Sequence, residues 1–229
     1  MLSTCYAADM PYRDPHTAAP TLWALRDRDG ADFEVSTSVR DSAKVERLAL
    51  EAVAITLHRL HHGASPLANF GGQITGYRVS SANNSALVAA GKRFRGGRDA
   101  AIQASASCPV PGPLDGDVDA ANWLGLEWSA WMPIDDVCHS TTTGMYRLRR
   151  PGADHLLYVG QGRVSDRIRA HRAKRHIEGH RQAAHFGGDV EASWAALNVC
   201  ARALLEIEND TIASHRLTCG SAPIAQFLG

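Results

Sequence analysis

The residues most suited to chemistry lie in the last third of the chain, in one ordered set. Two tyrosines come first, Tyr146 and Tyr158, and they are followed by Arg167, His171 and Glu208. A carboxylate can hold a divalent metal ion, and an arginine can neutralise a phosphate group. A tyrosine or a histidine can accept or donate a proton. Together these side chains are the parts needed to cut a phosphodiester bond.

The sequence around the two tyrosines predicts a β-hairpin. Residues 144–150 alternate as a strand does, and residues 155–159 show a second short strand pattern. Between them, residues 151–154 (Pro-Gly-Ala-Asp) are typical of a turn. The hairpin would bring Tyr146 and Tyr158 onto neighbouring antiparallel strands, where side chains on the two strands can touch.

A helix after the hairpin would carry two more of these side chains. It begins near Val164, and Val164, Arg167, Ile168 and His171 fall on one helical face, which we expect to lie against the sheet. The same segment contains further basic residues, which suit contact with a polyanion. They are Arg163, Arg169, Arg172, Lys174 and Arg175.

The carboxylate belongs to a later helix. Residues 192–199 suit a third strand, and a helix is predicted from about residue 201 to residue 217. On this helix Glu208 shares a face with Leu204 and Ile212. Burying an acidic group among apolar residues is costly unless a partner compensates its charge. A metal ion or the arginine of the preceding helix can be that partner.

From residue 144 onward, the chain resembles a GIY-YIG nuclease domain. Residues 144–146 (Gly-Met-Tyr) match the first motif of that family, and residues 158–160 (Tyr-Val-Gly) match the second. Arg167 and His171 match the family's arginine and its neighbour four residues further along the helix. Glu208, followed by an asparagine, matches the acidic helix that supplies a metal ligand. The resemblance covers five elements in the family's order.

The resemblance implies a fold and a cofactor. The fold is of the α/β (α+β) class, with a small three-stranded antiparallel sheet flanked by helices. One Mg²⁺ ion, or Mn²⁺ in its place, would be bound by Glu208. The implied activity is that of a metal-dependent DNA endonuclease, which hydrolyses phosphodiester bonds.

The resemblance also implies a role for each side chain. Tyr146 would accept a proton or position the attacking water, with Tyr158 as its hydrogen-bonding partner. Arg167 would stabilise the pentacoordinate phosphate, and His171 would assist proton transfer. Among the nucleic-acid contacts we include Arg163, Arg172 and Gln226; the family often has asparagine at the position of Gln226.

Composition excludes some classes of protein and leaves others open. The chain has 229 residues and an apolar fraction of 45%, which is enough for a globular core. Basic and acidic residues number 24 each, so binding to nucleic acid must depend on local basic patches. No apolar run approaches about 18 residues, so we expect no membrane-spanning segment.

Cysteine and histidine usage favours a reduced protein without zinc. The five cysteines are odd in number and scattered, and no signal-peptide pattern precedes them. A cytoplasmic location is therefore expected. The histidines have no Cys-x-x-Cys pair nearby, so the sequence predicts no zinc site.

The chain also contains an internal repeat. Residues 50–70 (the first copy) align without gaps with residues 207–227 (the second copy), with nine identities in 21 positions. Glu51 aligns with Glu208, and the shared residues continue through a glycine, a proline and a terminal phenylalanine. The N-terminal half therefore contains a partial, degenerate copy of the domain, at about residues 20–75.

The first copy lacks the other parts of the site. We find no tyrosine pair and no arginine-bearing helix before Glu51, so we interpret this half as non-catalytic. Residues 23–25 and 32–35, joined across Asp29-Gly30, are compatible with a hairpin. The alternative is that a helix followed by glycine and proline recurs because helices commonly end in this way.

A basic insert occupies residues 76–98, between the two copies. Basic residues there alternate with an aromatic residue and glycines, which suits contact with phosphates and stacking on bases. Its candidate nucleic-acid-binding residues are Arg78, Ser80, Asn83, Lys92, Arg93, Arg95 and Arg98. The alternative interpretation is a solvated loop.

These segments predict three regions. Residues 1–100 form a non-catalytic region with the partial repeat and the basic insert, and residues 141–229 form the catalytic domain. Residues 101–140 form a linker, with three tryptophans that favour docking onto a domain over stacking on bases.

The predicted partner is DNA, and a chain with one site needs a homodimer to cut both strands. Three other functions remain open. One is a nuclease that repairs or processes damaged or branched DNA. Another is a nucleic-acid-binding protein whose site no longer works. The third is an enzyme that acts on a small molecule.

Overall fold

The computed structural model describes residues 18–72, 74, 110–137 and 141–228. The chain divides into two compact units. The smaller unit comprises residues within 1–39 and 64–106, and the larger unit comprises residues within 40–63 and 107–229. In this division, residues 40–63 belong with the C-terminal part of the chain.

The smaller unit contains helix α1 (Ala19–Asp29). Gly30 ends the helix in the left-handed conformation, with φ of 64°, and its N–H donates to the carbonyl of Arg26. The prediction of a hairpin over residues 23–25 and 32–35 is wrong, because 23–25 are helical and 32–35 form no strand. The Asp29-Gly30 pair marks the end of a helix and not a hairpin turn.

The larger unit is built around an antiparallel sheet. Its strands are β1 (Met132–Pro133), β2 (Thr143–Arg149), β3 (Leu156–Arg163) and β4 (Glu191–Ala196), in the order β1-β4-β2-β3. The mixed α/β class is confirmed, but the described sheet has four strands and not the predicted three. The additional strand β1 has only two residues, which is too short to show an alternating pattern in the sequence.

Four α-helices accompany this sheet in the described part of the larger unit. They are α2 (Lys44–His62), α3 (Val164–Lys174), the short α4 (Ala183–Phe186) and α5 (Ala201–Cys219). Alternate sheet residues contribute to two buried clusters, as expected for a sheet covered on both faces. Met145 packs in the cluster that includes Ile212 of α5, while Tyr146 packs in the cluster that includes Ile168 of α3. None of the described helices is both long enough and apolar enough to cross a membrane.

Helices α2 and α5 repeat the same local backbone features at the offset of the sequence repeat. Both have 19 residues. Gly63 ends α2 with φ of 73°, and Gly220 ends α5 with φ of 78°. Beyond each glycine lies a phenylalanine with positive φ, 53° at Phe70 and 61° at Phe227. A positive φ is uncommon for phenylalanine, so its occurrence at both positions is a specific similarity.

The two helices pack against each other in an antiparallel pair. Glu46, near the start of α2, forms an ion pair with Arg216, near the end of α5. Arg59, near the end of α2, forms a buried ion pair with Asp210 at 2.5 Å. Between these contacts, Asn209 donates to the backbone carbonyl of Ala52 at 2.9 Å. Helix α2, which precedes the linker in the sequence, therefore supports α5 directly.

The segment before β2 docks onto the sheet through its tryptophans. Trp123 and Trp128 are buried, and their rings lie 5.8 Å apart. The guanidinium of Arg147, on β2, lies 4.4 Å from the ring of Trp128 and 4.5 Å from that of Trp131. A cation over aromatic rings is favourable, particularly away from water. These contacts place the tryptophans within the fold of the larger unit.

Candidate active site

The hairpin places the two tyrosines next to each other. In the register of β2 and β3, Tyr146 lies opposite Gly160 and Leu148 lies opposite Tyr158. The tyrosines are therefore diagonal neighbours, a spacing that aromatic side chains can bridge. Their rings are stacked, with centroids 6.1 Å apart and an interplanar angle of 20°. The predicted hairpin and its tyrosine pair are confirmed.

The two glycines of the matching motifs make room for this arrangement. A Cβ atom on Gly160 would lie 2.4 Å from the hydroxyl oxygen of Tyr146. A Cβ atom on Gly144 would lie 2.0 Å from the backbone carbonyl oxygen of Ala195, on the neighbouring strand β4. Gly160 thus accommodates the Tyr146 side chain, and Gly144 permits the close approach of β2 and β4.

Helix α3 directs His171 into the fold beside the tyrosines. Val164, Ile168 and His171 form its buried face, and His171 is only 2% exposed. The Nε2 atom of His171 lies 2.9 Å from the hydroxyl oxygen of Tyr146. The imidazole ring also lies 4.6 Å from the Tyr158 ring, measured between centroids. His171 shares a helical face with Val164 and Ile168, as the sequence predicts.

The hydrogen bonding differs from the predicted roles in one respect. The resemblance implies that Tyr158 is the hydrogen-bonding partner of Tyr146. The structure instead joins Tyr146 to His171, while Tyr158 stacks on Tyr146. Because the two tyrosines are diagonal neighbours in the strand register, their rings stack face to face and their hydroxyl groups do not bond to each other.

Burial keeps both members of the Tyr146–His171 pair neutral at physiological pH. Burial, followed by the charges of Lys174 and Arg167, lowers the pKa of His171 to about 3. The pKa of Tyr146 is far above its usual value. Burial is the main cause of this rise, and the interaction with Tyr158 is the second. The Nδ1 atom of His171 is buried and has no hydrogen-bond partner among the described residues. A neutral imidazole hydrogen-bonded to a phenol can pass a proton in either direction.

Arg167 provides the positive charge of the site. Its side chain is exposed, and its charge acts on the phenols of Tyr146 and Tyr158, lowering the pKa of each against the effect of burial. The interaction with Tyr146 is the main cause that raises the pKa of Arg167. The guanidinium therefore remains charged and open to solvent on one side, where an anionic ligand can approach.

Glu208, on α5, is the acidic member of the site. It is partly buried, and burial raises the pKa of its carboxyl group to about 7, although the charge of Arg167 opposes this rise. Its charge in turn raises the pKa values of Tyr146 and Tyr158, so the three groups interact. The structure thus brings together all five predicted catalytic residues, which come from β2, β3, α3 and α5.

The donor set around Glu208 fits a weakly held divalent cation. Within the described part of the chain, no hydrogen-bond donor contacts its carboxylate, which therefore keeps its oxygen atoms available. Mg²⁺ commonly binds one or two protein carboxylates together with substrate phosphates and water. Glu208 provides one such carboxylate, and a phosphate bound by Arg167 can provide further oxygen ligands.

Of the predicted nucleic-acid contacts, Arg163 and Arg172 lie at the surface. Arg163 approaches Asp166 at 3.8 Å, and Arg172 pairs with Asp135 at 2.9 Å. Both arginines retain access to solvent, because their side chains are 57% and 41% exposed, respectively. The seven predicted contacts in the basic insert, Arg78, Ser80, Asn83, Lys92, Arg93, Arg95 and Arg98, lie outside the described residues.

The structure places Gln226 inside the fold. Its side chain is 4% exposed, and its Oε1 atom accepts a hydrogen bond from the backbone N–H of Val159 at 3.2 Å. This bond connects the chain end to β3 beside Tyr158. The predicted contact with nucleic acid does not agree with this location, because the side chain is buried and already bonded.

Two further residues affect His171 in ways that the sequence analysis does not predict. The ring of Phe186 lies 4.7 Å from that of His171 and contributes to its burial. Lys174 lies one turn after His171, and its charge lowers the pKa of His171. The helical spacing of Lys174 from His171 is a usable signal. No comparable sequence signal links Phe186 to His171, because Phe186 lies beyond the end of α3.

Comparisons of the chain with protein-family models, curated protein sequences and solved structures gave no significant match.

Proposed function

We propose that this protein is a metal-dependent nuclease that hydrolyses phosphodiester bonds of DNA at the Tyr146–Glu208 site. The observation that carries the proposal is the convergence of five polar side chains from four separate elements. Each of the five has a pKa shifted from its ordinary value, as is frequent in catalytic sites. Ordinary packing alone gives no reason to collect these groups around a partly buried carboxylate.

Each side chain has a role that its environment supports. Arg167 binds the scissile phosphate, because its planar guanidinium can grip two oxygens at once. The Tyr146–His171 pair accepts the proton of the attacking water, since His171 is neutral and its Nε2 atom is hydrogen-bonded to the phenol. Tyr158 supports the pair by stacking on Tyr146 and contacting His171.

Glu208 would bind the cation when its carboxyl group is ionised. A bound Mg²⁺ or Mn²⁺ ion supplies Lewis-acid chemistry and lowers the pKa of a coordinated water. Since the pKa of Glu208 is about 7 without metal, the cation competes with a proton for the carboxylate. Cleavage should therefore increase with pH through neutrality, at subsaturating metal concentration.

DNA is the proposed substrate. The exposed arginines Arg163 and Arg172 lie on or beside α3, the helix that carries Arg167. They can contact phosphates that flank the scissile one, each contributing to a salt-dependent affinity. One site per chain cuts one strand, so a double-strand break requires a homodimer or two successive events.

The proposal is tested by incubating supercoiled plasmid with the protein and Mg²⁺, with a chelator as control and the Glu208→Gln variant beside the wild type. We expect nicked circles from the wild type only, and only with metal. DNA binding without cleavage would favour the non-catalytic alternative. Cleavage of a small phosphodiester but not of plasmid would favour a small-molecule substrate. Equal metal-dependent cleavage by Glu208→Gln would overturn the assignment.

A further inference from the structure

A second group of potential metal ligands lies outside the proposed active site. A ring nitrogen of His155, a ring nitrogen of His215 and the Sγ atom of Cys219 all lie within 4.8 Å of one another. They border a cavity of about 350 Å³ that is also lined by Asp119 and Asp154. Histidine, cysteine and carboxylate groups are the usual protein ligands of Zn²⁺.

His215 already has partners at both of its nitrogens. Its Nε2 atom accepts a hydrogen bond from the backbone N–H of Leu156 at 3.0 Å. Its Nδ1 atom lies 2.8 Å from the carbonyl oxygen of Ser221 and donates to it. Using His215 as a ligand would leave the buried N–H of Leu156 without an acceptor, which is costly. His215 is therefore a structural residue of this region.

Two polar atoms on residues that line the cavity have no partner. The Nδ1 atom of His155 and the Oδ1 atom of Asp119 are both buried, and neither has a hydrogen-bond partner among the described residues. The other carboxylate oxygen of Asp119 pairs with Arg149 at 2.8 Å. Buried polar atoms are nearly always satisfied, so two unsatisfied atoms on residues that line one cavity suggest a ligand.

We propose that this cavity binds Zn²⁺ through the imidazole of His155 and the thiolate of Cys219. The carboxylate of Asp119, which lines the same cavity, would be drawn in as a third ligand, with water completing the coordination. Binding converts the thiol to a thiolate and releases its proton to solvent. A nitrogen, a sulfur and an oxygen ligand together suit Zn²⁺ better than Mg²⁺, which prefers oxygen alone. Asp117 and Asp154 add negative charge to the lining and favour a cation.

The bound ion would connect three parts of the larger unit. His155 immediately precedes β3, Cys219 ends α5, and Asp119 belongs to the segment before β1. β3 carries Tyr158 and α5 carries Glu208, so the ion would hold the elements that present these two residues. The inference does not depend on nuclease activity, because the two sites share no residue.

The test is a titration of metal-free protein with Co²⁺ and Zn²⁺, comparing the wild type with Cys219→Ser, His155→Gln and Cys200→Ser. Cys200 is exposed at the start of the same helix and is the matched control. We expect the wild type and Cys200→Ser to give the near-ultraviolet charge-transfer band of a cobalt thiolate. Cys219→Ser should lose this band, and both Cys219→Ser and His155→Gln should bind Zn²⁺ about 100-fold more weakly. A band that persists in Cys219→Ser, or that is absent from the wild type, would overturn the proposal.

A second measurement uses the wild type alone, so it does not depend on the variants folding. Alkylation of the cysteines is followed by mass spectrometry of peptides, with and without Zn²⁺. Zn²⁺ should protect Cys219 and leave Cys200 equally reactive. Equal alkylation of Cys219 under both conditions would contradict the site.

Discussion

Helices α2 and α5 have the same length, the same type of terminal glycine and the same following turn, yet only α5 contributes to the candidate active site. Glu208 is partly buried, and the charge of Arg167 acts on its carboxyl group, whereas its counterpart Glu51 is exposed. The difference arises from what precedes each helix. Strands β2 and β3 and helix α3 precede α5, while α1 and a segment without strands precede α2 in the described residues. A glutamate on a repeated helix is therefore not sufficient for a site.

The repeated arginines differ in a similar way. Arg59 of α2 is buried against Asp210, while its counterpart Arg216 of α5 is partly exposed beside Glu46. Each arginine pairs with an acidic residue of the other helix. The first copy thus supports the helix that carries Glu208. The proposed role of the first copy is structural.

The largest effect is expected at the buried ion pair. Arg59→Met leaves Asp210 buried without its charged partner and should lower the free energy of unfolding by about 3–5 kcal/mol. Arg216→Met removes a partly exposed pair and should cost about 1 kcal/mol or less. Urea denaturation of both variants measures the difference. Equal losses would show that the two helices are supported symmetrically.

The next effect concerns phosphate binding. Arg167→Lys keeps the charge but loses the planar fork, and we expect cleavage to slow about 10²–10³-fold. Arg169→Lys is the matched control on the same helix, since Arg169 is exposed and contacts only Asp166 among the described residues. Single-turnover rates at saturating DNA compare them. A wild-type rate for Arg167→Lys would rule out bidentate phosphate recognition here.

A third effect follows from the raised pKa of Glu208. Its folded-state pKa of about 7 exceeds the ordinary value of 4.5, so the folded protein loses stability as pH rises from about 4.5 to 7. Glu208→Gln has no proton to lose, and at pH 8 without metal it should be more stable than the wild type by about 3 kcal/mol. At pH 4 the two should be alike.

The control for this pH effect is Glu51→Gln, which should show no gain because Glu51 is exposed. Thermal denaturation at pH 4 and pH 8 in the presence of a chelator measures all three proteins. If Glu208→Gln differs in stability from the wild type by the same amount at pH 4 and at pH 8, the titration of Glu208 is not the cause of the difference.

The smallest effect concerns the proton pathway. Tyr146→Phe removes the hydroxyl that bonds His171, and we expect cleavage to slow about 10²-fold. His171→Ala should have a similar cost. Neither variant should remove the pH dependence near neutrality, because the pKa of His171 is about 3 and Glu208 is the group that titrates there. A neutral-range transition that disappears in His171→Ala would reassign it to the histidine.

Local patterns in the sequence predict most of the larger unit. The alternation before and after the turn at residues 151–154 predicts β2 and β3, and the spacing of Val164, Ile168 and His171 predicts the buried face of α3. These elements are determined by periodicity and by turn residues within a short window. For the same reason, the sequence alone assigns all five site residues to the correct strands and helices.

Features that depend on distant packing cannot be predicted in this way. The pKa of His171 is set by burial, to which Phe186 contributes from another element, and no spacing links those two residues. The stacking of Tyr158 depends on strand register, which a hairpin pattern alone leaves open. His155 and Cys219 are far apart in the sequence, so their proximity produces no local metal-binding motif.

The most direct test of the central claim is the rate of Mg²⁺-dependent plasmid nicking by Glu208→Gln and Glu51→Gln, measured side by side with the wild type under single-turnover conditions. The two substitutions make the same chemical change at equivalent positions of the repeat. We expect Glu208→Gln to lose several orders of magnitude in rate and Glu51→Gln to cut at the wild-type rate. Loss of cleavage in Glu51→Gln, or retained cleavage in Glu208→Gln, would contradict a single site in the second copy.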